Sequence, residues 1–301
     1  MLMDVQEIIL PEDLGAVLNQ LKTFALARGW TLDGDSDGVF QLRSSGFGNQ
    51  AMIFRFKGQY TLTYAYHGLV EVIGVSPLTP AFSTSMTTGA FTSTGDYATI
   101  SIRGTGAHKA WIVGNSNVLM LIQQNNEYSC TSLVVGSFDL FDTSRNDGFF
   151  AIHARWASYP YKWDTLTAGE YQVFVIPGVN LHVTSMYHTW LYGERRSGSA
   201  IKSNLIVSYG SSVEGVFDSL ADALTNGSAM PYSGNRVIFQ PTIYGYDSSA
   251  SLWRPIGKLP WHYLKFDGLK PGETLDFGGD TYMAFPSMYI PHPFGWAVRV
   301  S

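Results

Sequence analysis

From Trp30 onward the apolar residues recur at every second position in short runs, and Gly, Asp and Ser cut one run from the next. Period two belongs to the β-strand, whose successive side chains leave opposite faces, so most of this chain must become sheet. The runs 30–33, 39–43 and 52–56 predict strands joined by tight polar turns. Strands are expected again at 97–103, 108–113, 118–123, 128–135 and 149–155, with Asn125-Asn126 as a hairpin turn. The Ser-, Thr-, Gly- and Pro-rich stretch 76–95 between the two groups reads as a long loop or arm. Beyond 157 the candidates are 171–176, 182–184, 205–209, 236–240, 253–258, 281–286 and 296–300.

Two segments break the alternation. Over 12–28, Leu14, Val17, Leu18, Leu21 and Ala25 share a helical face, Glu12 and Asp13 suit the first turn, and Gly29 stands where a helix stops. Over 213–224, Val213, Val216, Phe217, Leu220 and Leu224 predict a short helix ended by Asn226-Gly227. The expected fold is therefore α+β, predominantly antiparallel sheets of sandwich type, with an N-terminal helix and one short internal helix. A first domain is expected over 1–156 and a second β-rich section over 157–301, separate from the first or continuous with it.

Charged residues make up only 14% of the chain, against roughly 25% in ordinary soluble proteins. A surface this poor in charge favours a chain covered by partners. The net charge of −5 disfavours nucleic-acid binding, and Arg195, Arg196 and Lys202 read as a solvated loop tip. Cys130 is the sole cysteine, so no intrachain disulfide can form. Met1 to Asp4 open without a basic and then apolar leader, and no apolar run approaches the roughly 20 residues of a membrane helix. Synthesis in a cytoplasm is expected, with no membrane partner.

Chemistry is thinly represented. Asp33, Asp35 and Asp37, alternating before Gly38, match the first half of a calcium loop. The bidentate acid expected at the twelfth position falls on Ser44, so a polar turn is the stronger reading of 33–38. None of the seven histidines forms a close metal-binding pair, although His182 and His188 lie within reach of each other. No nucleophile elbow is present, and Cys130 fits a buried structural role. Asp139, Asp142, Glu170 and Asp267 are carboxylates available to a glycosidase, but no spacing pairs them. Gly104-Thr105-Gly106 lacks the third glycine of a dinucleotide loop. No enzyme, cofactor or metal is expected. Two aromatic clusters remain: Trp156, Tyr159, Tyr161 and Trp163, and Trp253 and Trp261 with His262 and Tyr263. Core and subunit-interface roles outweigh a sugar platform for them, given the scarcity of charge nearby.

Several segments in order complete the reading. A helix closes on Gly29-Trp30, and Gly46, Gly48 and Asn49 precede a strand. Lys109 to Asn115, reading K-A-W-I-V-G-N, is followed by Val118 to Gln123, Tyr128, and Val134 to Phe141. This succession resembles a group of tailed-bacteriophage virion proteins in which a W-I-V-G-N strand pair leads to an aromatic-bearing strand and a G-x-F-x-x-F turn. The resemblance covers roughly 14–155 and, more loosely, the tail from Trp253 to Val300. It implies a component of the neck, collar, tail or baseplate, located in the virion and assembled with copies of itself and other virion proteins in symmetric rings. It implies no catalytic residue. A carbohydrate- or receptor-binding β-protein of the particle is the alternative, and a polysaccharide hydrolase a more distant one.

Overall fold

The computed structural model describes residues 1–10, 13–45, 53–60, 67–75, 81–85, 98–103, 108–126, 129–136, 139–141, 151–155, 172–174, 201–203, 237–240, 242–247, 252–258, 261–265, 269–286 and 294–301. In chain order they form β1 (Asp4–Ile9), α1 (Leu14–Ala27), β2 (Thr31–Ser36), β3 (Val39–Arg43), β4 (Ile53–Tyr60), β5 (His67–Val75) and β6 (Ala98–Arg103). Next come β7 (Lys109–Gly114), β8 (Val118–Asn126), β9 (Ser129–Gly136), β10 (Asp139–Leu140), β11 (Ala151–Arg155), β12 (Gln172–Phe174) and β13 (Ile201–Ser203). The last are β14 (Val237–Phe239), β15 (Thr242–Asp247), β16 (Leu252–Lys258), β17 (His262–Lys265), β18 (Thr274–Phe277), β19 (Asp280–Pro286) and β20 (Phe294–Arg299). The architecture is α+β with a large antiparallel β majority, as the alternation requires.

The strands build four sheets, ordered β1-β7-β8-β9-β11-β12, β2-β3-β4-β5-β6, β14-β17-β20-β19-β18 and β10-β16-β15-β13. The first is the central layer. Its β7, β8 and β9 are buried on both faces, which is why they read as near-continuous apolar runs. Ala110, Ile112, Leu119, Leu121, Leu133 and Val135 join a core with α1 and with Phe40, Leu42, Phe54, Phe56, Val70 and Val72 of the second sheet. The opposite face turns Trp111 toward the third sheet, where it meets Phe285 edge-on at 5.3 Å.

Pairings cross the boundary drawn at 156: β12 adds to β11, and β10 pairs with β16. Met3 N–H also donates to the Arg299 carbonyl at 2.9 Å, tying the first residues to the last strand. In the fourth sheet the register slips between Ile243 and Tyr244, opposite Gly257 and Pro255, so the ladder is interrupted beside the proline that has no N–H.

Helix α1 starts two residues later than its pattern implied. Asp13 is its N-cap rather than a first-turn residue, and its carboxylate accepts from Gly15 N–H at 2.9 Å. At the other end Gly29, at φ +85°, donates to Leu26, while Trp30 N–H reaches back to Ala25. These two bonds satisfy orphan carbonyls of the last turn and drop Trp30 into the core against Phe54. The short helix expected at 213–224 lies outside the described residues. Among the described residues no helix is long and apolar enough to cross a membrane.

Candidate functional site

The aspartate-rich segment is the sharpest motif, and the structure pulls its acids apart. Only Asp37 and Gly38 form the turn, both at positive φ (54° and 72°), the geometry of a type I′ hairpin. Asp33 and Asp35 belong to β2 instead, and a bulge between Leu32 and Gly34 sets Asp33 out of register. Asp33 faces Arg43, with Oδ1 2.9 Å from the guanidinium and Oδ2 accepting from Arg43 Nε at 3.1 Å. Asp35 turns the other way and pairs with Lys22 of α1. The three calcium candidates therefore do not converge, and no cluster of three metal-binding side chains occurs among the described residues.

The most fully built polar site lies on the outer face of β2, β3 and β4. Odd-numbered residues of β3 and β4 face away from the core, which brings Gln41 and Arg55 side by side, both fully buried. Arg55 donates twice to Gln41 Oε1, at 3.2 and 2.9 Å, and Gln41 Nε2 donates to Asp33 at 3.4 Å. The rest of the guanidinium reaches residues 81–85, donating to the Ala81 carbonyl at 3.4 Å and to that of Ser85. Phe82 of the same segment lies over Gly34, where a Cβ would come within 2.3 Å of its ring. Burial pulls the Arg55 pKa below its ordinary value. Of the stretch 76–95, read from the sequence as a long loop or arm, the described residues 81–85 are loop, strapped onto the chain's own sheet. An arginine at an alternating position of β4 was the available signal.

A second polar cluster joins the third sheet to the start of the chain. Asp280 pairs with Arg299 at 2.6 Å and accepts from the Tyr282 hydroxyl at 3.4 Å. His262 packs edge-on to Tyr282 at 4.9 Å, and its Nδ1 has no hydrogen-bond partner among the described residues. Burial first, then the Met1 amino group, Arg299 and Lys258, lower the His262 pKa to about 4, against a smaller opposing effect of Asp280.

Trp261 is fully buried, in the interior and not on a surface of the chain. Trp253 lies on β16, across from Tyr246 of β15. Trp156, Tyr159, Tyr161 and Trp163 lie outside the described residues, as do Asp142, Glu170, His182, His188 and Asp267. Cys130 is buried on β9, and desolvation raises its thiol pKa well above the ordinary value, which leaves it a poor nucleophile.

The K-A-W-I-V-G-N segment has a structural content of its own. Asn115 Oδ1 accepts from the Asn117 and Val118 amides at 2.9 and 3.1 Å, which shapes the β7–β8 turn. The Asn115 carbonyl accepts from Trp30 Nε1 at 2.7 Å, and its Nδ2 donates to the Leu2 carbonyl at 3.1 Å. One turn thus fastens the helix end and the start of the chain to the central sheet. The chain matches no protein-family model and no curated protein.

Proposed function

We propose that this chain is a structural subunit of a tailed-bacteriophage particle, joining copies of itself and other virion proteins in a ring of the neck, collar, tail or baseplate. The observation that carries the reading is the ordered set of motifs over 14–155, together with a composition of only 14% charged residues. A charge-poor surface is costly to leave in water and is useful when most of it meets partners. The described surface fits that use: Leu2, Ile9, Phe141 and Phe277 are each 45% exposed or more. The motif residues serve the framework, since Trp30, Trp111 and Asn115 lock the layers together. The test is immunogold electron microscopy on a lysate of the native host with antibody against the purified chain. Gold at one fixed place on tailed particles supports the reading. Unlabelled particles with the protein free in the supernatant overturn it and favour a glycan-binding role.

A further inference from the structure

We infer that His262 is an acid-sensitive latch: its protonation opens the third sheet, with the first residues bound to it, away from the central layer while the α1 core stays folded. The inference holds whatever this chain assembles with. Three observations carry it.

The first is where the ring sits. His262 is buried at the start of β17, opposite Ala297 of β20, and lies edge-on to Tyr282 of β19 at 4.9 Å. Its Nδ1 is buried without a hydrogen-bond partner among the described residues. A protonated ring is a donor at both nitrogens, and this site offers Nδ1 no acceptor. The added charge would be buried and unanswered.

The second is the charge around it. β20 presents Arg299, β16 presents Lys258 and the first residues present the Met1 amino group, while Asp280 of β19 is the carboxylate that faces the ring among the described residues. Asp280 is already engaged by Arg299 at 2.6 Å and by the Tyr282 hydroxyl at 3.4 Å. On β18, Asp276 accepts from Thr281 Oγ1 at 2.8 Å, and β14, reading V-I-F, brings no charge. A proton on His262 thus joins three cations around one shared carboxylate. Burial and these cations together pull its pKa down to about 4.

The third is the joint beside the ring. The Arg299 carbonyl accepts from Met3 N–H at 2.9 Å, and the Leu2 carbonyl accepts from Asn115 Nδ2 at 3.1 Å. One residue therefore serves the charged cluster with its side chain and holds the start of the chain with its main chain. Among the described residues the third sheet packs Leu269, Leu275, Tyr282, Ala284 and Ala297 in a cluster apart from the one that unites α1 with the first two sheets. Its contact with the central layer includes Trp111, set between Phe285 and Gly272. A small core closed by such a joint opens at a lower free energy than the main core. Opening admits water to the charged ring, and the α1 core keeps its packing.

The experiment compares the full chain with His262→Leu by amide hydrogen exchange at pH 7 and pH 5, each rate divided by the intrinsic rate at that pH. A ring that titrates at 6.5 in the open form and at about 4 in the closed one favours opening roughly twentyfold more at pH 5 than at pH 7. In the parent, amides of β17, β19 and β20 are expected to exchange about twentyfold faster at pH 5, with β3, β4 and β8 unchanged. The variant is expected to show no such acceleration. His262→Gln, polar and neutral at both pH values, gives the same readout if the leucine variant does not fold. Equal acceleration in β3, β4 and β8 overturns the latch, because protonation would then unfold the whole chain. Acceleration that persists in the variants overturns His262 as the trigger, and unchanged exchange in the parent overturns the inference altogether.

Discussion

His262 makes the stability of the third sheet depend on pH in a direction opposite to that of a salt-bridged histidine. Its ring is buried against Tyr282, and the Met1 amino group, Arg299 and Lys258 all disfavour a further positive charge. The folded pKa is about 4 where the ordinary value is 6.5, so the fold selects the neutral imidazole. Its contribution is complete above pH 6.5 and is lost progressively as the pH falls through the window from 6.5 to 4. Across the whole window the loss is about 3 kcal/mol, and between pH 7 and pH 5 it is about 2 kcal/mol. The comparison that isolates it is His262→Leu, which keeps bulk and apolar packing and removes the proton. Urea unfolding followed by tryptophan fluorescence at pH 7 and pH 5 gives the loss for each protein. The parent is expected to lose about 2 kcal/mol more than the variant. Equal losses would refute the reasoning, because they would mean that the folded state carries a protonated His262 as easily as the unfolded chain.

Four further outcomes are expected. Arg55→Met removes the donor shared by the Ala81 and Ser85 carbonyls and Gln41 Oε1, so stability should fall by about 1–3 kcal/mol. Hydrogen exchange should then speed up at 81–85 more than in β7–β9, and uniform change across both would contradict the clamp. Gly114→Ala sets a Cβ 2.3 Å from the Val118 carbonyl, a main-chain clash that no rotamer relieves. Chemical denaturation should show a cost of about 1–3 kcal/mol. Trp111→Ala empties the contact between the central and third sheets and should cost about 3–5 kcal/mol by the same measurement. Millimolar calcium should leave the melting temperature unchanged, because Asp33 and Asp35 face different cationic partners; a rise of several degrees would restore the metal reading.

Much of the fold was legible because local periodicity is a property of neighbouring residues. The short apolar runs at 39–43 and 118–123 marked β3 and β8, and the spacing of Leu14, Val17, Leu18 and Leu21 marked α1. Strands lacking that contrast were missed. β1, reading D-V-Q-E-I-I, and β18, reading T-L-D-F, mix polar and apolar residues without a clear period, and among the described residues both are edge strands of their sheets. β5, reading H-G-L-V-E-V-I-G-V, was passed over although it is an interior strand. The candidate sites show the same division. The aspartates at 33, 35 and 37 were visible as a pattern, but a single bulge and the alternation of the strand sent Asp33 to Arg43 and Asp35 to Lys22. Whether two side chains on one strand meet depends on which face each takes and on what covers that face. By itself the sequence determined α1, its stop at Gly29 and the strands with a clear apolar pattern such as β3, β7, β8 and β9, all set by preferences within a few residues. Only the tertiary structure decided that residues 81–85 lie over Gly34 and Arg55, that the Asn115 turn gathers Trp30 and Leu2, and that His262 sits among cations. Those contacts join residues far apart in the chain, and burial and charge at each are set by packing that no short stretch encodes.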